Sequence, residues 1–218
     1  MSFPIGTQSA PLGAVVPPAP TLYLIQKRAL DVAAAGLMLL LLAPLLVLVA
    51  VLIKLEDGGP VLFSQTRVGK GGRPFRFFKF RSMVTDAEAR RAKLKADSGQ
   101  LRFKLARDPR ITRVGGWLRR TSMDELPQLL NVLKGDMSLV GPRPALPEEV
   151  ADYDARARQR LDVEQGLTCL WQVGGRSLLD FERQVELDRD YARTRSLWLD
   201  LKILFLTVPA VLSGRGAY

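Results

Sequence analysis

"VAAAGLMLLLLAPLLVLVAVLI", residues 32 to 53, runs for 22 residues without a charge and is closed by Lys54. At about 1.5 Å per helical residue it can reach across a bilayer core of about 30 Å. It is too long for the apolar stretch of a cleaved signal peptide, and no small-residue cleavage site follows it. Two features oppose a simple crossing. Pro44 sits mid-run, where it removes a backbone hydrogen bond and crowds the preceding turn, so the helix is expected to kink. Basic residues flank both ends: Lys27 and Arg28 before, and Lys54, Arg67, Lys70, Arg73, Arg76, Lys79 and Arg81 after. By the positive-inside rule both ends face the cytoplasm. A kinked helix that enters and leaves by one leaflet reconciles length, proline and charge; a bent ordinary span is the alternative.

Working outward, residues 1 to 20 are rich in Pro, Ala and Gly without periodicity and read as a disordered tail. Residues 21 to 55 read as the kinked re-entrant helix, and 56 to 218 as one cytoplasmic domain. "PVLFSQTRVG" and "RPFRFFKFRSM" are β-rich and separated by "GKGG", which predicts a hairpin; "GKGG" lacks the spacing of a phosphate loop. "DAEARRAKLKAD" reads as a polar helix, while "LPEEVADYDARARQRLD" and "LLDFERQVELDRDYA" read as charged amphipathic ones. "SLWLDLKILFLTVPAVL", broken by Asp200, Lys202 and Pro209, suits either the membrane interface, with Trp198 at headgroup level, or a core helix. The fold class is therefore α+β: a re-entrant membrane helix, then a small, mainly helical catalytic domain with a short β-hairpin and interfacial amphipathic helices.

Composition narrows the chemistry. The net charge is +10, and residues 67 to 120 hold seventeen Lys and Arg against four acids. Such a block needs an anionic partner: phosphorylated substrate, acidic lipid or nucleic acid. Cys169 is the only cysteine and there is no histidine, which removes intrachain disulfides, serine or cysteine nucleophiles activated by histidine, and most zinc sites. Any catalysis falls to carboxylates and bases.

The acids that stand out are Asp124 and Glu125 in "TSMDELPQLLNVLKGDMSLVGPRP", residues 121 to 144, directly after Arg119 and Arg120. Ser122 and Glu125 have capping-box spacing, although Pro127 would suit an onset at Asp124 better. Either onset puts both acids at the positive end of a helix dipole, which would keep an aspartate ionised. Capping alone explains the same residues, and salt bridges would explain the arginines. Yet guanidinium groups on a proline-stiffened turn, as at Arg143, match polyphosphate oxygens. One acid could then attack phosphorus while the other holds Mg²⁺. Asp108 in "DPR" is read as a helix cap or a metal ligand.

"KRALD", "GPVLFSQTRVGKGGRPFRFFKFRSM", "DPRITRVGGWLRRTSMDELPQLLNVLKGDMSLVGPRP", "GLTCLWQVGGRS" and "SLWLDLKILFLTVPAVL" together resemble, in that order, the bacterial sugar transferases known as monotopic phosphoglycosyl transferases. The resemblance runs from Lys27 to Leu212. The small size is similar to exopolysaccharide-type members without an extra N-terminal membrane domain. It implies transfer of a sugar 1-phosphate from a UDP-sugar to polyprenyl (undecaprenyl) phosphate at the cytoplasmic face of the bacterial inner membrane. Asp124 is implied as the nucleophile, with release of UMP and a covalent phosphosugar ester, and Glu125 as the Mg²⁺ ligand. Arg119 and Arg143, and Arg176 in "GGRS", are implied as phosphate or nucleotide contacts. Two departures stand out: Ala43-Pro44 replaces a common Ser-Pro, and "QGLTC" replaces "PGITG", with Gln165 and Cys169 in place of Pro and Gly.

Two other classes compete. A membrane-anchored scaffold would explain the basic block and the apolar run but not the acids among arginines, and nucleic-acid binding would explain only the charge. The expected partners are therefore UDP-sugar, polyprenyl phosphate and anionic lipid, and no nucleic acid. The sugar and the oligomeric state, a homo-oligomer included, are left open.

Overall fold

The computed structural model describes residues 16–87, 89–90, 108–175 and 178–212. Arg176, most of the predicted helix at 86–97 and residues 1–15 of the predicted tail lie outside these. Pro17, just before the first helix, accepts a hydrogen bond from Arg195 through its carbonyl at 2.7 Å.

The apolar run lies inside α1, Thr21–Asp57, a single helix of 37 residues that contains Pro44. At 1.5 Å per residue it is about 55 Å long. Its buried residues are Tyr23, Lys27, Asp31 and Ala35 near one end and Val49 and Ile53 near the other, each four apart and hence on one face. Between these groups Leu37, Leu40, Leu41, Val47 and Leu48 are exposed. Gly58, at φ 73°, closes the helix by donating to the Lys54 carbonyl at 3.0 Å, a left-handed cap that glycine adopts without strain.

The polar half of that face is a network. Lys27 Nζ donates to Asp200 Oδ2 at 2.9 Å, to the Val140 carbonyl at 3.0 Å and to the Tyr191 hydroxyl at 3.2 Å. Tyr23 and Tyr191 donate to the same Asp200 carboxylate at 3.0 and 2.7 Å. One turn on, Asp31 Oδ1 accepts from the Leu139 amide and the Ser138 hydroxyl at 2.9 and 3.1 Å. At the other end of α1, Glu56 accepts from the Arg113 and Val114 amides at 2.7 and 3.2 Å, while Asp57 pairs with buried Arg81, Nη1 to Oδ2 being 2.7 Å. Both ends of α1 are thus fastened to the same domain.

That domain begins with the predicted hairpin: β1, Leu62–Val68, antiparallel to β2, Pro74–Phe80, with Leu62 opposite Phe80 and Val68 opposite Pro74. Its turn uses Gly71 and Gly72, both at positive φ. Then come α2, Arg113–Arg120, and α3, Gln128–Lys134. Asn131 of α3, fully buried, docks on the free edge of β2: it accepts from the Phe78 amide at 3.1 Å and donates to the Arg76 carbonyl at 2.6 Å. Backbone groups that would otherwise template another strand are thereby satisfied.

A second pairing, absent from the sequence reading, joins β3, Ser138–Val140, in parallel with β4, Gly166–Thr168. It holds because Gly141 and Gly166 meet backbone to backbone: a Cβ on Gly166 would lie 2.1 Å from the Gly141 nitrogen. Gln165 explains one departure noted above, since its buried amide donates to the Arg160 and Val163 carbonyls at 2.8 and 3.0 Å, bonds that proline could not make. The predicted helix over 146–162 is in fact broken into α4, Pro147–Ala151, α5, Ala155–Arg158, and a 3₁₀ turn at Gln159–Asp162. Tyr153 turns inward there, and Asp154 starts a new helix by accepting from the Ala157 amide at 2.7 Å. The chain ends with α6, Leu170–Gly174, α7, Phe181–Thr194, and α8, Leu197–Leu212. Phe77, Leu129, Val132, Leu139, Val140, Tyr191 and Ile203 form the main core. Trp198 and Phe205 of α8 are exposed.

Candidate active site

Asp124 and Glu125 occupy a one-turn 3₁₀ helix, Met123–Glu125, between α2 and α3. The helix after them starts only at Gln128, with Pro127 as its N-cap residue, and Ser122 makes no capping bond. The expected capping box and the dipole of a full helix are therefore not what holds these acids. Proline, at home only in a first turn, sets the onset after the dyad. Ser122 has φ 57°, and among the described residues it is the only non-glycine at positive φ. Such a conformation costs about 1–3 kcal/mol and persists where the surroundings over-determine it. The cap of α2 is Thr112, whose hydroxyl accepts from the Gly115 amide at 2.9 Å. Asp108, expected as a cap or metal ligand, is instead forked onto Arg110 at 2.7 and 2.9 Å.

Three cations surround the dyad from three elements. Arg143, on the turn after β3, forks onto Glu125, with Nη2 to Oε1 at 2.5 Å and Nη1 to Oε2 at 3.2 Å. Lys79 of β2 donates to Glu125 Oε1 at 2.8 Å and stands 3.6 Å from Asp124 Oδ2. Arg119, at the end of α2, acts on Asp124 through its charge. Of the residues read from sequence, Asp124, Glu125, Arg119 and Arg143 are thus brought together. Burial raises the Glu125 carboxyl, but Arg143 and Lys79 outweigh it and hold the group well below the carboxylate range. Burial also raises Asp124, which is 7% exposed, and Glu125 adds to the rise; Lys79, Arg119 and Arg143 oppose without cancelling it. The dyad is split: the Glu125 carboxyl is held below the usual carboxylate range and the Asp124 carboxyl is pushed above it.

Sequence reading missed two residues, Lys79 and Arg67. The hairpin register sets Gln65 opposite Phe77 and Arg67 opposite Phe75, and alternation then puts Arg67, Phe77 and Lys79 on one face. Arg67 and Lys79 lie 5.4 and 5.6 Å from the buried Phe77 ring. Arg67 donates to the Pro144 carbonyl at 3.2 Å, its Nε is buried without a partner, and burial followed by the nearby Arg143 pushes its pKa down to about 10. Two-residue periodicity from Phe77 to Lys79 was the available signal. The two acids are outnumbered by Lys79, Arg67, Arg119 and Arg143, a surplus that suits a phosphate group. Lys79→Met is expected to raise the Asp124 carboxyl further, so the acid limb of turnover should move to higher pH; an unmoved pH–rate profile would take Lys79 out of this role.

Among the described residues, no three acid, cysteine or histidine side chains gather into a metal cage. Both Glu125 oxygens accept from Arg143 or Lys79, so a Mg²⁺ ion held there with substrate phosphates would share the carboxylate with those cations.

The fold and site define a carboxylate dyad in a ring of cations, on a domain gripped by both ends of an apolar helix. The chain belongs to the bacterial sugar transferase family, whose sequence profile matches residues 22–214. It is 48% identical over 198 residues to a galactosyl transferase CpsE of Streptococcus agalactiae, covering 89% of this chain and 44% of that protein. It is 42% identical to the exopolysaccharide production protein ExoY of Rhizobium meliloti, covering 88% of each. It is 47% identical to a UDP-glucose:undecaprenyl-phosphate glucose-1-phosphate transferase of Caulobacter vibrioides, covering 89% of this chain and 72% of that one. The chain thus spans less than half the length of the Streptococcus relative.

Proposed function

We propose that the protein transfers a sugar 1-phosphate from a UDP-sugar to polyprenyl phosphate, as a membrane step of exopolysaccharide or related glycan assembly. The observation that carries this is the split dyad among surplus cations, in a family whose relatives are named for that transfer. Asp124 attacks the β-phosphorus; its oxygen forms a new P–O bond while the bond to the UMP oxygen breaks, and UMP leaves. A phosphate oxygen of the polyprenyl acceptor then attacks the same phosphorus and frees Asp124. Lys79, Arg119, Arg143 and Arg67 stabilise the charge spread over the phosphoryl oxygens. Glu125 would hold Mg²⁺ together with the substrate's phosphate oxygens. That ion would neutralise diphosphate charge.

A screen of UDP-sugars with undecaprenyl phosphate and Mg²⁺, reading UMP, tests the assignment. Release with UDP-galactose or UDP-glucose, abolished by chelator and restored by Mg²⁺, is the expected result. Full turnover in excess chelator would remove Glu125 from the metal role, and no UMP with any UDP-sugar would remove the function.

We further propose that α1 is re-entrant, with the domain on the cytoplasmic face of the bacterial inner membrane. What supports this is that Lys27 and Asp31 at one end of α1, and Glu56 and Asp57 at the other, bind the same domain while the apolar middle is exposed. Two ends tied to one domain suit a helix that enters and leaves by the same leaflet. Cysteines placed near Arg28 and near Arg67 should both resist a thiol reagent applied outside intact cells, and labelling at one end alone would mean a full span. Pro44→Leu should favour that span.

A further inference from the structure

Arg160, in the 3₁₀ turn at Gln159–Asp162, and Asp188 of α7 are both buried, and they pair with Nη2 to Oδ2 at 2.7 Å. As a source of stability the pair is poor. Both Asp188 oxygens and Arg160 Nε are shielded from solvent without a well-formed hydrogen bond, and burial pushes the Asp188 carboxyl up to about 6 against the pull of Arg160. Apolar residues in such a place commonly serve a fold as well or better.

The other bonds of Arg160 lead to the candidate site. Its Nη1 donates to the Tyr153 hydroxyl at 3.0 Å, and its carbonyl accepts from the Gln165 side-chain amide at 2.8 Å. The Gln165 carbonyl accepts from the Ser138 amide at 2.8 Å, and the next amide, that of Gly166, donates to the Pro142 carbonyl at 2.8 Å. Pro142 directly precedes Arg143, which forks onto Glu125. On its other side the same turn is held by β1, Val68 donating to the Ala145 carbonyl at 3.0 Å and Arg67 to the Pro144 carbonyl at 3.2 Å. The segment from Arg160 to Gly166 is therefore one of two supports that set where the Arg143 guanidinium stands.

We propose that Arg160 and Asp188 are positioning residues for Arg143: the pair fixes the 160–166 segment, whose Gly166 amide holds the Arg143 turn at the reach and angle that the phosphoryl group requires. The role in turnover rests on the transfer reaction proposed above, while the placement of Arg143 against Glu125 is measurable without it.

The test compares the parent chain with one carrying Arg160→Met and Asp188→Leu, an apolar replacement of the whole pair. Its melting temperature should stay level or rise, while kcat with UDP-sugar, undecaprenyl phosphate and Mg²⁺ should fall about ten- to a hundredfold, and by more than KM rises, as when a catalytic group is displaced by about an ångström. A pair that only stabilises would move melting and leave kcat alone. The second measurement needs no reaction. Arg143→Gln and Glu125→Gln, singly and together, should shift melting non-additively in the parent, because the two side chains bond each other, and nearly additively once the pair is gone. Asp188→Asn, which keeps the shape of the side chain, should show both changes in smaller measure and serves if the double replacement misfolds. A parent that turns over no UDP-sugar, yet loses the non-additivity with the pair, would remove the transfer reaction and leave the positioning role standing. Non-additivity that survives loss of the pair, or an unchanged kcat in an active enzyme, overturns the proposal.

Discussion

Asp124→Asn is expected to lower turnover by at least about a thousandfold, as loss of a nucleophile does, and at the same time to raise the melting temperature. The two effects share one cause. Burial and the neighbouring Glu125 raise the Asp124 carboxyl against Lys79, Arg119 and Arg143. A carboxylate whose folded pKa lies above its unfolded one costs the fold stability as pH rises through those values, and the cost is complete once pH has passed both. Asparagine removes it with little change of shape. Glu125 has the opposite sign. Its pKa is held down by Arg143 and Lys79 against burial, so its charge stabilises the fold above the unfolded value and that contribution is lost as pH falls. Glu125→Gln should therefore lose both activity and stability, the latter by about 3 kcal/mol if it behaves as a broken buried pair. Melting curves of the two variants at pH 7 should move in opposite directions, and a parallel loss would contradict the assignment.

Lys27→Met should destabilise the protein by about 3–5 kcal/mol, because it strands Asp200 in a buried site. Asp200 is 1% exposed and would keep only the Tyr23 and Tyr191 hydroxyls. For a chain of this size that is a fall in melting temperature of roughly 10 °C. Activity should fall as well, since Lys27 also supports the Val140 carbonyl, three residues before Arg143. Lys27→Met combined with Asp200→Leu should recover part of the lost stability, as apolar replacement of a whole buried pair often does. Chemical denaturation of the two single variants and the double variant measures this coupling, and additive losses would mean that the pair does not act as a unit.

The apolar run, the hairpin and the dyad with Arg119 and Arg143 were legible because each rests on local signals: uninterrupted apolarity, "GKGG" between β-rich runs, acids beside bases. The parallel β3–β4 pair was not legible, since its strands are short and nothing local announces that Gly141 and Gly166 must touch. The role of the helix dipole was misread for a different reason. Ser122 and Glu125 have the spacing of a capping box, but Pro127 defers the helix and leaves the acids in a 3₁₀ turn. What modulates Asp124 is Lys79, which lies far away in sequence and is brought close by the hairpin. "KRALD" was legible as a motif and silent as to purpose, because the partners of Lys27 and Asp31 lie more than a hundred residues away.

The measurement that bears most directly on the nucleophile is the intact and peptide mass of the protein after incubation with its UDP-sugar and Mg²⁺ in the absence of any lipid acceptor. Release of UMP should stop at about one equivalent per active site, a hexose-phosphate mass should sit on the peptide that contains Asp124, and that mass should disappear when polyprenyl phosphate is added. If UMP instead appears only when both substrates are present, and no adduct forms on the wild-type chain, transfer is direct and Asp124 is not the nucleophile.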